Sequence, residues 1–330
     1  MIQSRRQVIR RRLVLEMIHM DLAVLLSNLI GLFLLIGVGF FAVRAGILPA
    51  ASSKTLSALL MKITVPATII CSMLRPFDPG FLKLGVSIVL VGTVMFPLFG
   101  GLSMVLSKLL RVPEGRRGMW CCCATFCNNG FMGFPVALAL FGEEGLALTV
   151  MLSIPFNFLL YSLGAKMVCM DRSGDTPGQG LSWGKAVFNA INLSMAIGLA
   201  LYLTQIQLHQ AILSPIQYLS DATTPLSMIV TGMNLSQGKM TDVLRDRDAF
   251  TASGARLLAF PLVAWALMLL VPGLDKLVIG AALINLAMPA PAAATFIGEE
   301  HGGCTQLAAR IVFLSSLLCL VTIPLVSLLL

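Results

Sequence analysis

The chain has 330 residues, 57% of them hydrophobic and only 12% charged, with a mean hydropathy of +0.91. A soluble domain carries about 25% charged residues, so the composition excludes a soluble enzyme and indicates an integral membrane protein. The net charge of +8 needs no nucleic acid as partner, because loop lysines and arginines account for most of it, and the eight cysteines show no spacing of a disulfide framework.

Residues 1–20 form a basic tail with Arg5, Arg6, Arg10, Arg11 and Arg12. Ser4-Arg5-Arg6-Gln7 has a faint likeness to a twin-arginine export signal, but no small-residue cleavage site follows. The plainer expectation is that translation starts naturally at Met17 or Met20, which mass spectrometry of the N-terminus would test.

A bilayer span needs about 20 apolar residues. Such stretches fall near 21–43, 55–74, 84–107, 118–141, 146–169, 186–206, 211–233, 250–271, 277–297 and 304–329, which makes ten. Lys62 in the second and Asp221 in the seventh make those two the least hydrophobic. The longest polar connection, Asp171 to Ser182, follows the fifth span. The expected organisation is therefore a first five-helix unit over 21–169, a linker over 170–185 and a second five-helix unit over 186–330.

The fourth span contains Asn128-Asn129-Gly130-Phe131-Met132-Gly133-Phe134-Pro135. A proline that cannot donate an N–H, two glycines and two amides at mid-depth predict that the helix opens there, and unpaired backbone in a membrane must line a cavity. The ninth span repeats the device. At an offset of 156, Asn129 falls on Asn285, Met132 on Met288, Pro135 on Pro291 and Gly142-Glu143-Glu144 on Gly298-Glu299-Glu300, with Pro289 as an addition. Upstream, Thr64-Val65-Pro66-Ala67-Thr68 matches Thr223-Thr224-Pro225-Leu226-Ser227 at an offset of 159. Two copies of one unit are expected, and because each has five spans, the second enters from the opposite side. Paired, Gly/Pro-interrupted spans in matching positions of two halves mark the binding site of a transporter.

Orientation follows from the lysines and arginines. The loops after odd-numbered spans hold Arg44, Lys54, Lys108, Arg111, Arg116, Arg117, Lys166, Arg172, Lys185, Lys239, Arg245, Arg247, Arg256 and Arg310, while the other side has Arg75, Lys83, Lys276 and the N-terminal arginines. The positive-inside rule then makes the odd loops cytoplasmic and both termini external.

Three stretches together carry a family resemblance: Asn129 to Pro135 followed by Ala-Leu-Phe-Gly-Glu-Glu-Gly-Leu, Thr223 to Leu235, and the segment from Asn285 to Pro291. From about residue 21 the chain resembles the auxin efflux carrier family in its short prokaryotic form, some members of which are malate permeases. The resemblance implies ten helices in two inverted repeats. It also implies that helices 4 and 9 unwind at prolines and cross at mid-membrane, and that a transport domain moves as an elevator against a scaffold of helices 1, 2, 6 and 7. Carried over to this chain, the crossover positions are Asn128, Asn129 and Pro135, and Asn285, Met288, Pro289 and Pro291.

The expected substrate site comprises those residues with Gly130 and Gly133. An opened helix offers free N–H groups and a dipole that favour an anion, and asparagine amides add donors, so a small carboxylate is the expected cargo; the resemblance implies a malate-like carboxylate or an auxin-like aromatic acid. Asn129 and Asn285 are expected to touch it directly; alternatively each amide only bonds a neighbouring helix. Pro66 and Pro225 shape helices facing the site. Asp221 is a candidate for coupling or for a surface role, and Lys62, at its repeat-equivalent position, could pair with it or attract an anion. Glu143, Glu144, Glu299 and Glu300 read as solvated span ends.

Cys121, Cys122, Cys123 and Cys127 do not share one helix face, and His19, His209 and His301 are scattered, so no metal site is expected. With no nucleotide loop and no nucleophile with its base, the chain is not expected to be an enzyme. A second reading is a sodium-coupled symporter resembling bile acid transporters, which would place acidic or amide oxygens at the crossover; a third, a membrane sensor or intramembrane enzyme, would need a further soluble domain or a catalytic constellation. No cofactor is expected, coupling to H+ or Na+ stays open, and the partners are the organic anion, lipid and a second copy of the chain.

Overall fold

The computed structural model describes residues 27, 29–171, 190–238, 243 and 245–330. The basic tail over 1–20 and most of the expected linker lie outside them. Among the described residues there is no strand. Five helical runs within them are long and apolar enough to cross a membrane: Ser52–Met73, Pro79–Leu109, Glu114–Asp171, Arg247–Leu269 and Thr305–Ser327. The protein is an all-helical membrane protein.

In chain order the helices are α1 (Leu29–Arg44), α2 (Ser52–Met73), α3 (Pro79–Leu109) and α4 (Glu114–Thr125). They continue as α5 (129–141), α6 (143–171), α7 (Ala190–Thr204), α8 (Gln210–Gln237) and α9 (Arg247–Leu269). The last are α10 (Lys276–Leu286), α11 (Ala293–His301) and α12 (Thr305–Ser327). Local chemistry sets several boundaries. Asp78 starts α3 by accepting from the N–H groups of Gly80 (2.9 Å) and Phe81 (3.1 Å), with Pro79 in the first turn. Asp275 caps α10 through Leu277 N–H at 2.8 Å. Gly142, at φ 66°, turns the chain between α5 and α6 in a conformation that side chains other than glycine resist.

Proline leaves a regular trace. A wide π-turn immediately precedes each of Val65-Pro66, Phe134-Pro135 and Phe260-Pro261. The proline ring would strike the carbonyl one turn back, and widening the turn removes that clash without ending the helix.

The helices pack as two groups. In one, α2 lies against α7 and α8, with Thr68 Oγ1 donating to Thr223 Oγ1 at 2.8 Å beside Pro66 and Pro225. In the other, α3 packs on α4 and α6, while α9 packs on α12 and α10. The Arg116 guanidinium in α4 reaches Asp246 at 2.6 Å and Asp248 at 3.0 Å, and Arg310 in α12 reaches Asp246 at 2.7 Å. This second group contains both interrupted helices and the larger part of the buried core.

Candidate functional site

The first interruption runs over Phe126, Cys127 and Asn128. Phe126 is extended (φ −99°, ψ 155°) and Asn128 has left the helical region (φ −81°, ψ 69°). The chain re-enters a helix at Asn129 through a π-turn whose first carbonyl, that of Asn128, accepts from the N–H groups of Met132 (3.3 Å) and Gly133 (3.0 Å). Pro135 therefore does not open the helix; it lies in the early turns of α5, where its missing N–H costs little.

The second interruption runs from Ala287 to Ala292. Pro289 and Pro291 are two residues apart, and each pushes the residue before it out of the helical region, so Met288 and Ala290 cannot continue α10.

The two interruptions meet. The N–H of Asn128 donates to the carbonyl of Pro289 at 2.7 Å. Asn285 Nδ2 donates to Asn129 Oδ1 at 2.5 Å, joining the two asparagines related by the offset of 156. Asn129 Nδ2 donates to Ser153 Oγ in α6 at 2.5 Å, and Cys127 Sγ donates to Asn285 Oδ1 at 3.4 Å. Ala290 N–H donates to Ser315 Oγ in α12 at 3.0 Å. Gly133 is a glycine because a Cβ there would sit 2.5 Å from Asn285 Nδ2. Asn129 is 3% exposed and Asn285 1%.

Arg256 is the residue that sequence reasoning misplaced. Counted above among the loop cations, it lies inside α9 and is fully buried. Its Nε donates to Met288 O at 3.1 Å, its Nη1 to Thr125 O at 2.8 Å and Ala124 O at 3.3 Å, and its Nη2 to Leu286 O. Those of Ala124, Thr125 and Leu286 are orphan acceptors at the ends of α4 and α10, and that of Met288 belongs to the interruption that follows α10. The only sequence signal was an arginine among small and apolar residues, Ala-Ser-Gly-Ala-Arg-Leu-Leu-Ala-Phe. The polar run just before it disguised that signal as a loop.

A cavity of about 380 Å³ lies against the junction. Asn128, Asn129, Gly130 and Pro291 line it, joined by Ser153, Asn157, Tyr161 and the N-terminal residues Ala292 and Ala293, with Lys54 and Glu300 at its edge. Gly133, Pro135, Asn285, Met288 and Pro289 are not among its lining residues. Asn128 and Asn157 are 8% and 5% exposed, and no side-chain hydrogen bond involves either among the described residues. Asn157 was legible only as a lone amide beside Pro155 in the fifth span.

A second cavity, of about 610 Å³, is lined by Arg75, Glu143, Asp221 and Pro225, and Phe134 belongs to both walls. Asp221 is exposed and accepts from Gln217 Nε2 at 3.0 Å. Lys62 is exposed on the π-turn of α2, and among the described residues it forms no ion pair with Asp221. Glu143, Glu144, Glu299 and Glu300 are exposed.

Comparison with known proteins gives concordant matches. A family model described as membrane transport protein matches residues 24–176 and 179–327. An uncharacterized transporter of Methanothermobacter thermautotrophicus is 26% identical over 304 residues, covering 91% of this chain and 97% of its own length. An uncharacterized transporter of Methanocaldococcus jannaschii is 27% identical, covering 94% of this chain and 98% of its own length.

Proposed function

The chain belongs to the membrane transport protein family, that of the auxin efflux carriers, and from that premise we propose that it is a secondary transporter of a small organic anion in the cytoplasmic membrane. In this reading the twelve helices of the described residues make ten spans, α4 with α5 forming the fourth and α10 with α11 the ninth, in two inverted five-span repeats with both termini outside. The interrupted spans cross at mid-membrane. The group containing them is the moving body, and α1, α2, α7 and α8 are the scaffold against which it slides as an elevator.

The observation that carries the reading is that one cavity is walled by the first residues of both second-half helices, Asn129 to Phe131 of α5 and Ala292 to Ala293 of α11. Free N–H groups at a helix N-terminus, which together amount to roughly half an elementary charge, favour a carboxylate. Asn128 and Asn157 supply further amides. With Asn129 and Asn285 bonded to each other, their role is to clasp the crossing, Asn129 also forming part of the wall. The second cavity across Phe134 is the exit toward the opposite face.

A sodium-coupled mechanism is the less favoured alternative. It would draw on amide oxygens at the crossing, yet Asn129 Oδ1 accepts from Asn285 and Asn285 Oδ1 from Cys127. The test is uptake of labelled malate into proteoliposomes with sodium and proton gradients imposed separately. Saturable uptake is expected, and the gradient that drives it identifies the coupling; no saturable uptake of malate or of other carboxylic and aromatic acids would reject the reading.

A further inference from the structure

We propose that Arg256 makes the junction of the two interrupted helices selective for anions, by neutralising two half-helix C-termini that would otherwise cancel the two N-termini facing the cavity. The proposal rests on the anion-carrier reading above and names the residue that sets its charge selectivity.

The argument is an electrostatic sum. Four helix ends gather at the junction: the C-termini of α4 and α10 and the N-termini of α5 and α11. Each end carries roughly half an elementary charge, negative at a C-terminus and positive at an N-terminus, so helices alone give a local total of about zero. One guanidinium placed on the two C-termini cancels them and leaves about +1 at the N-termini. Arg256 sits there, fully buried, with its donors on carbonyls at both C-terminal ends. Among the described residues no carboxylate pairs with it, so its charge is balanced by backbone dipoles alone. Cys127, which lies against the guanidinium, lines the cavity, so one side chain separates the charge from the site. The buried amides of Asn128 and Asn157, unbonded among the described residues and on the cavity wall, mark where a ligand would be met.

A residue that only held the fold would change all ligands alike, whereas a charge that selects anions changes a ratio. The experiment measures competition against labelled malate uptake by unlabelled malate and by its neutral diamide, in wild type, Arg256→Lys and Arg256→Gln. The malate-to-diamide preference is expected to fall at least about tenfold in Arg256→Gln, equivalent to roughly 1.4 kcal/mol. In Arg256→Lys it should survive near neutral pH while turnover drops, because an ammonium keeps the charge but cannot span four carbonyls.

Should Arg256→Gln not yield folded protein, the pH profile of Arg256→Lys decides. A buried lysine loses its proton far more readily than arginine, so the preference should decline as pH rises in that variant and not in wild type, which shares Cys127, among the described residues the one titratable side chain found against residue 256. An unchanged preference in folded Arg256→Gln, or a pH-independent one in Arg256→Lys, overturns the proposal. Absence of carboxylate uptake by wild type instead overturns the carrier reading, and the proposal with it.

Discussion

The two interruptions carry matching residues but open on opposite sides of their shared asparagine. In the first, the chain leaves the helix before Asn129, which begins α5; in the second it leaves after Asn285, which lies in the last turn of α10. The difference traces to one position. Where the first interruption has Gly133, the second, at the offset of 156, has Pro289, and a proline two residues before Pro291 prevents any helix from continuing through Met288 and Ala290. Gly133 leaves room for a π-turn and for the Asn285 amide to approach. The result is a pair of equivalent asparagines that reach each other from a helix start and a helix end. Each interruption is then anchored by a serine of another helix, Ser153 of α6 through a side-chain amide and Ser315 of α12 through a backbone N–H.

Gly133→Ala should have the largest effect, because the new methyl meets an amide pinned between Asn129 and Cys127. Overpacking of this kind costs about 1–3 kcal/mol, read as a lower melting temperature, and the Gly133→Ala/Asn285→Ala pair should recover part of it. Pro289→Ala, at the equivalent position, should be milder than Gly133→Ala; equal effects would erase the distinction.

Next come the serines. Ser315→Ala strands a buried backbone N–H that cannot turn away, at about 1–3 kcal/mol. Ser153→Ala frees an amide that can rotate toward the cavity and should cost about 0.6 kcal/mol, the average for hydrogen bonds between membrane helices. Reversed magnitudes in denaturation of the two variants would contradict the account. The asparagine pair should show a double-mutant coupling of about 0.6–1.7 kcal/mol.

The smallest effect near neutrality concerns Asp246, which links α4 and α12, the helices next to each interruption, through Arg116 and Arg310. Burial raises its carboxyl pKa, but hydrogen bonds from Arg310 and Arg116 outweigh burial and hold it below the usual range. A lowered folded pKa stabilises the fold fully above the unfolded value of about 3.9 and is lost as pH falls through the folded one. Melting temperature should therefore be insensitive to this group from pH 7 to 5 and drop below about pH 4, and Asp246→Asn should flatten that acid limb.

Much of this was legible in the sequence. Apolar run lengths foretold an all-helical membrane protein, and the offset of 156 singled out Asn129 and Asn285, which the structure joins by a hydrogen bond rather than leaving both free for a ligand. Other features were not legible for identifiable reasons. An offset equates residue types but does not say on which side of them a helix opens, because that depends on which turn can absorb a proline; Pro135 was thus assigned a break that occurs upstream of it. Arg256 was hidden because its partners are carbonyls, which every residue carries. Asn157 has no repeat-related asparagine, and the linker over 170–185 lies almost wholly outside the described residues.

The central claim is that the cavity at the junction holds the anion. Equilibrium binding of labelled malate to purified wild type and Asn128→Leu tests it most directly, since leucine fills the cavity wall while the side-chain bond between Asn129 and Asn285 stays intact. Saturable binding by wild type, lost in the variant at an unchanged melting temperature, is the predicted result; equal binding by both would place the anion elsewhere and contradict the account.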